Sequence, residues 1–187
     1  MEDQIAISRI KQGDLNGLET LVNRYQVQAV HAAYMIVYDQ AAAQDVAQAA
    51  FVKVVEYIHQ FDETRPFAPW FFRIVVNDAL KLARKQKRKI SLEDLDEPIA
   101  QLAEWLTDPG LKPEQLLEEK QTGENILKAI RSLPPEQRAV VAMRYYLEMS
   151  EADMSAKMDR PLSTIKWWLR EARKRLYELM DSKAEGE

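Results

Sequence analysis

Two stretches of this 187-residue chain combine aromatic rings with cations at helical spacing. The first begins at Phe67. At about 100° per residue, Trp70, Arg73, Asn77, Lys81, Arg84 and Arg88 fall in one stripe, aromatic at its start and basic at its end. Rings stack on unpaired bases and cations hold phosphates, so such a stripe suits an unstacked nucleic-acid strand. The basic end alone has a plainer explanation, because cations near a helix C-terminus favour the macrodipole and keep the helix solvated. That explanation does not cover Trp70, which stands beside Phe67 and Phe71, although a tryptophan in a small helical domain also serves as core.

The second stretch runs from Ser150 to Met180. A short helix over Glu151–Lys157 precedes a turn through Asp159, Arg160 and Pro161, and a longer helix follows. Ile165, Leu169, Ala172 and Leu176 line one side of it, which is helix–turn–helix spacing. The opposite side presents Ser163, Thr164, Lys166, Trp167, Arg170 and Lys174. Hydroxyls and cations at a helix N-terminus suit the major groove and its phosphates. Lys166 and Trp167 sit in the first turns, where base edges are met, with Arg170, Arg173 and Lys174 further along, toward phosphate. Trp168 falls about 60° from the apolar centre and flanks the core. An ordinary amphipathic hairpin shows the same pattern.

The elements that must position these residues are helical. Leu18, Leu21, Tyr25, Ala29, Ala32 and Ile36 recur at three and four. Asp39 is placed to cap a second helix striped by Val46, Ala50, Val54 and Ile58. A break over Phe61–Pro66 leads to a helix from Phe67 to about Lys89, with Pro69 tolerable in its first turn. Pro98, Pro109, Gly110 and Pro113 then interrupt a run of acids, with room for one short helix around Ile99–Leu106. Helical periodicity resumes near Glu114, breaks at Ser132–Pro135 and restarts. Ser150 with Asp153 resembles a capping box, and the last helix ends near Met180. The expected fold is all-α: two small helical domains, 1–89 and 114–181, the second a helix–turn–helix, joined by an acidic, proline-interrupted linker over 90–113 and ending in a frayed tail over 182–187.

Composition narrows the function. Cysteine is absent and there are two histidines, so thiolate chemistry and cysteine zinc sites are impossible and metal catalysis is not expected. Glycine numbers five, and no nucleotide-binding, metalloprotease or hydrolase motif occurs. Neither an enzyme nor a cofactor is indicated. No apolar run approaches membrane-spanning length, and the start, MEDQIAISRIKQGD, is polar and acidic, unlike a signal peptide; a cytoplasmic protein without membrane insertion is expected. The net charge of −4 conceals two mildly basic blocks, each +2 over 1–90 and 128–187, flanking a segment of −8 over 91–127.

Four stretches together resemble the sigma-70 family of RNA polymerase sigma factors, in its extracytoplasmic-function (ECF) group. Leu21-Val-Asn-Arg-Tyr25 through Val37 is similar to the first helix of that family's N-terminal domain. Asp45-Val-Ala-Gln-Ala-Ala-Phe51 is similar to its polymerase-binding segment, and Phe67-Ala-Pro-Trp-Phe-Phe-Arg-Ile-Val-Val-Asn77, with the basic run to Lys89, to its promoter-melting helix. Leu133-Pro-Pro-Glu-Gln-Arg138 through Leu176 is similar to its C-terminal helix–turn–helix domain. The resemblance implies a factor with no catalytic activity that binds core RNA polymerase and directs it to promoter DNA. The N-terminal domain captures the unpaired minus-ten element and the C-terminal domain reads the minus-thirty-five duplex. It also implies an anti-sigma factor as a partner, and a linker that follows the polymerase's RNA path, where acidity suits a positive channel.

Carried over residue by residue, the resemblance assigns Asp45, Gln48 and Phe51 to polymerase. Trp70 and Asn77 match the melting helix, with the Phe61–Pro66 break matching the loop that pockets a flipped base, and the rest of the stripe, Arg73, Lys81, Arg84 and Arg88, is placed on minus-ten DNA with them. Ser163, Thr164, Lys166 and Arg170 match the recognition helix, and Trp167 and Lys174 on the same face are placed on minus-thirty-five DNA with them. The sequence departs from the family at Ala49, where an acid is common, at Ser163, where glycine is common, and at Trp167–Trp168, where Ser-Arg is common. A helix–turn–helix regulator that never touches polymerase shares the second domain but has no use for Asp45–Phe51 or the acidic linker.

Overall fold

The computed structural model of the chain describes residues 2–87 and 125–184. Every regular element among them is helical. Arg88 and Lys89, the expected linker, its short helix around Ile99–Leu106 and the final residues of the tail lie outside the described residues.

Sequence periodicity assigns no helix before Leu18, yet Glu2–Lys11 forms α1. Its apolar residues are few, and Ala6, Ile7 and Ile10 are all buried. The helix ends in a Schellman turn. Gly13 takes φ 85°, its N–H donates to the Ile10 carbonyl at 3.0 Å, and the Asp14 N–H donates to the Arg9 carbonyl at 3.0 Å. The chain then folds back into α2, Asn16–Val37. Gly17 is what lets α1 lie so close, because a Cβ there would collide with the Ala6 carbonyl.

Helix α2 buries Leu21, Tyr25, Ala29, Ala32 and Ile36 of the expected stripe, with Leu18 half-buried at its start. It ends at Tyr38, whose φ of 57° is left-handed and whose N–H donates to the Tyr34 carbonyl at 2.8 Å. Asp39 caps α3, Gln40–Tyr57, by accepting from the Ala42 N–H at 2.8 Å, as expected. A 3-10 turn over Ile58–Gln60 leads into the break, and α4 spans Phe67–Lys87 with Pro69 in its first turn. Val46, Ala50 and Val54 of α3 meet Phe71, Phe72, Val75, Val76 and Ala79 of α4 in the core.

The second segment begins with α5, residues 125–131, and α6, Pro135–Val141. A π-helical turn over Ala142–Tyr146, which periodicity does not predict, follows α6. Ser150 caps α7, Glu151–Met158, accepting from the Asp153 N–H at 3.1 Å while its hydroxyl donates to the Asp153 carboxylate at 2.6 Å. Asp159 turns the chain with φ 51°, and the Ser155 hydroxyl donates to the Arg160 carbonyl at 2.6 Å. Helix α8 then runs over Leu162–Ala184. It passes the expected end near Met180 because Asp181, Ser182, Lys183 and Ala184 include neither glycine nor proline.

The two segments share one continuous core, with Leu127, Leu133, Val140, Met143, Met154, Ile165 and Leu169 joining the residues of α1–α4. Docking is centred on Tyr38. Its hydroxyl donates to the Leu127 carbonyl at 2.7 Å. The guanidiniums of Arg131 and Arg138 lie 5.8 and 5.4 Å from its ring centroid.

The most demanding position is Phe71, fully buried among Phe51, Phe67 and Phe72. Phe71→Ala is expected to cost about 3–5 kcal/mol of stability in urea unfolding. Ile5→Ala, at a side chain 56% exposed on α1, should stay within about 0.5 kcal/mol.

Candidate nucleic-acid interface

Helix α4 carries its outward stripe because its inward one is crowded with rings. Phe67 and Phe71, the rings beside Trp70 in the sequence, are both buried and belong to the core. Trp70 is half-buried, with its ring centroid 5.1 Å from that of Phe61 and 5.7 Å from that of Phe67. The indole therefore rests on a fixed apolar floor with one side toward solvent. Arg73 and Lys81 are exposed and Asn77 is half-buried on the same stripe. Arg84, further along, is engaged across the molecule: its Nε donates to Glu136 of α6 at 2.8 Å.

The loop beside Trp70 has a shape of its own. The Asp62 carboxylate accepts from the Thr64 N–H at 3.0 Å and from the Thr64 hydroxyl at 2.6 Å. Those bonds hold its carboxyl below the ordinary range. The Arg65 N–H closes a turn on the Asp62 carbonyl at 3.0 Å. Lys11 of α1 donates to the Phe61 carbonyl at 3.1 Å and to Glu63 at 2.7 Å, tying the loop to the first helix. The role of Lys11 had no signal in the sequence, because it acts on residues fifty positions away.

On α3, Asp45, Gln48, Ala49 and Val52 form an exposed face. Phe51 does not join it. It is buried at 6% exposure, with its ring 4.7 Å from that of Phe71. This corrects the assignment of Phe51 to a partner surface. At 100° per residue it turns away from Asp45 and Gln48 into the stripe of Ala47 and Val54.

On α8 the inward residues are Ile165, Leu169 and Ala172, with Trp168 and Leu176 packed partly against them. Ser163, Lys166, Trp167, Arg170 and Lys174 are exposed and Thr164 is half-buried. The expected face is thus present as one surface. Arg170 lies 3.5 Å from Glu171 and Lys174 lies 3.8 Å from Glu178. The first helix of the pair, α7, rests against α4. There Lys157 sits near the α4 stripe: burial lowers its ammonium pKa, with lesser repulsion from Arg73 and Arg65, against the pull of Asp153.

Comparison with known proteins identifies the class. Residues 21–89 match the model of sigma-70 region 2 and residues 123–176 that of sigma-70 region 4. The chain belongs to the sigma-70 family. Within it the relatives are ECF factors, and this chain is one of that group. It is 26% identical over 173 residues to the ECF RNA polymerase sigma factor SigW of Bacillus subtilis, covering 91% of this chain and 92% of that one. It is 29% identical over 191 aligned positions to the ECF RNA polymerase sigma-E factor of Escherichia coli K12, covering 99% and 95%. Two solved structures share the fold, each with a TM-score of 0.65. CnrH in complex with the cytosolic domain of CnrY is 21% identical, over 97% of this chain and 99% of that one. The sigma factor RpoE in complex with the anti-sigma factor NepR from Bartonella quintana is 19% identical, over 87% and 96%.

The docked arrangement has a titratable group at its seam. His31 Nδ1 and the Tyr146 hydroxyl share a hydrogen bond of 2.9 Å. Burial pushes the imidazole down from 6.5 to about 4. The packed state therefore holds the neutral ring. Its contribution is whole above about pH 6.5 and is lost as the pH falls toward 4. In urea unfolding at fixed ionic strength, wild type should lose more stability than His31→Gln across that window. Superimposable pH profiles would show that the ring is indifferent to its protonation.

Proposed function

We infer that this chain binds core RNA polymerase, directs it to specific promoters and helps to melt them, with no catalytic step of its own. The observation that carries the reading is the presence, on one sigma-70 chain, of two separate aromatic–cationic faces. One is on α4, in the region-2 match, and the other is on α8, in the region-4 match. A regulator reading only duplex DNA needs the second face alone.

In this reading, residues 1–89 form the domain for polymerase and the minus-ten element and 114–181 the domain for the minus-thirty-five element. The linker lies over 90–113 and the tail over 182–187. Asp45 and Gln48 face polymerase. Trp70 stacks on a base extruded from the minus-ten element into the Phe61–Pro66 loop, and Arg73, Asn77, Lys81, Arg84 and Arg88 follow the strand's phosphates. Lys166 and Trp167 meet base edges of the minus-thirty-five duplex, with Ser163 and Thr164 beside them at the helix N-terminus, while Arg170, Arg173 and Lys174 meet phosphate. The work is cytoplasmic, where polymerase and promoters are, and no described helix is long and apolar enough to cross a membrane. RpoE in the comparison is held by an anti-sigma factor, and a protein inhibitor of that kind is proposed here too.

Transcription with purified core polymerase tests the whole reading: promoter-dependent initiation should require this chain. Asp45→Lys combined with Gln48→Lys should weaken the complex with core polymerase while leaving thermal unfolding near wild type, since exposed substitutions cost little stability. Unchanged polymerase binding would remove this face from the interface.

Trp70→Ala is expected to lower open-complex formation on duplex promoters by about five- to hundredfold, the value of one stacked base at roughly 1–3 kcal/mol. Permanganate reactivity of the melted thymines reads the effect. Wild-type reactivity in a variant with intact circular dichroism would rule out a stacking role.

A further inference from the structure

The exposed face of α8 includes Arg173, which the spacing already places on its phosphate side. Relative to Lys166, positions 170, 173 and 177 fall within about 40° of one direction at 100° per residue, and Lys166, Arg170, Arg173 and Tyr177 are all exposed. Arg173 meets a residue from outside the helix. Its Nε donates to the Tyr145 hydroxyl at 2.7 Å, and its guanidinium carbon lies 6.0 Å from the Tyr145 ring centroid. Tyr145 belongs to the π-helical turn and is 55% exposed, so core packing does not explain its ring.

We propose that Tyr145 is a positioning residue that holds Arg173 as a phosphate clamp on the flank of the minus-thirty-five duplex. The inference rests on the reading of α8 as the helix that meets that duplex. Three features support it. The first is reach. With a rise of 1.5 Å per residue, Arg173 lies about 10 Å along the axis from Lys166. When the first turns meet base edges, that distance brings Arg173 to the wall of a major groove about 12 Å wide, where the phosphates are.

The second feature is charge. Arg170 and Lys174 each lie near a glutamate of their own helix. Among the described residues, the hydrogen-bond partner of Arg173 is instead a neutral phenol, which leaves its full charge for an anion. The third is geometry. A guanidinium has five N–H donors. The Tyr145 bond uses the one on Nε and leaves the two terminal nitrogens, a fork suited to bidentate phosphate binding. Fixing a long exposed side chain beforehand removes part of the rotamer entropy otherwise lost on binding.

The test uses the full chain assembled with core polymerase, on promoters that carry or lack the preferred minus-thirty-five element, with binding measured across a salt series. Arg173→Ala should weaken binding to all upstream sequences alike and reduce the slope of log K against log salt by about one. Tyr145→Phe keeps the ring and the arginine charge but removes the acceptor. It should weaken binding by roughly three- to tenfold, the range of one net hydrogen bond, with the salt slope kept. In the Arg173→Ala background, Tyr145→Phe should add nothing. A merely structural tyrosine would show the same loss in both backgrounds, and that result overturns the proposal. So does wild-type promoter binding by both single variants while the upstream element still matters. So does a loss confined to core polymerase binding with an unchanged salt slope, which would give the Tyr145–Arg173 pair to polymerase. If replacing the upstream element changes nothing even for wild type, the reading of α8 itself has failed.

Discussion

The direction in which α4 presents its outer stripe is set by Tyr25. Its ring centroid lies 5.5, 5.9 and 6.0 Å from those of Phe67, Phe71 and Phe72, so one side chain of α2 meets three rings of α4. The phenol is anchored in turn: its hydroxyl donates to Asp3 of α1 at 2.6 Å, and Arg24 donates to the same carboxylate at 3.1 Å. Burial and the Asp3 bond push the phenol up to about 12, so it remains a donor throughout the physiological range. Once Phe67, Phe71 and Phe72 point inward, the helical period leaves Trp70 and Arg73 no direction except outward. The surface chemistry of α4 is thus a consequence of its core.

A second constraint joins the two segments. Tyr38 sits in a left-handed conformation at the end of α2, which turns its ring toward α5 and α6. Arg138 is partly withdrawn from water and gives Nη1 to the carbonyls of Arg131 and Leu133 at 3.3 and 3.2 Å, with burial lowering its pKa. These contacts and the shared apolar core carry the docking. The Arg84–Glu136 pair contributes little, because an ion pair of that exposure is worth about 0–1 kcal/mol. Arg84 can therefore exchange Glu136 for a phosphate at small cost in docking, and its place in the nucleic-acid stripe is compatible with its present partner.

The sequence made legible what periodicity and local chemistry encode. The stripes of α2, α3 and α4 are amphipathic, and Asp39 and Ser150 act through backbone N–H groups three residues away, a distance that local pattern resolves. Phe51 shows the limit of a motif, which assigns roles to a whole segment, while the burial of one ring depends on its angle to a neighbouring helix. Helix α1 has little signal in the sequence because four apolar residues in ten, one of them exposed, make a weak stripe; it is held by the close approach that Gly17 of α2 allows and by the bond of Asp3 to Tyr25 of α2. The docking through Tyr38 and the pairing of Tyr145 with Arg173 were invisible for the same reason: they join residues separated by 89 and 28 positions, and neither belongs to a repeat.

The adjacent tryptophans of α8 show how much one inward residue decides about its neighbour. Trp168 packs partly against the core beside Ile165 and Leu169. A ring of that size resists rotation of the helix about its axis, since even a small turn would lift it from its contacts. Trp167, about 100° further round, is therefore held outward and stands 50% exposed. Lys166 is fixed on the outward side by the same argument. An exposed indole gains little for the folded chain by itself, but a rigid apolar plane with two rotatable bonds loses little entropy on contact and can lie against thymine methyls where a flexible cation cannot. The tandem tryptophans thus divide the work: Trp168 fixes the angle of the helix, and that angle holds the Trp167 plane outward, as the proposed contact with the minus-thirty-five duplex requires.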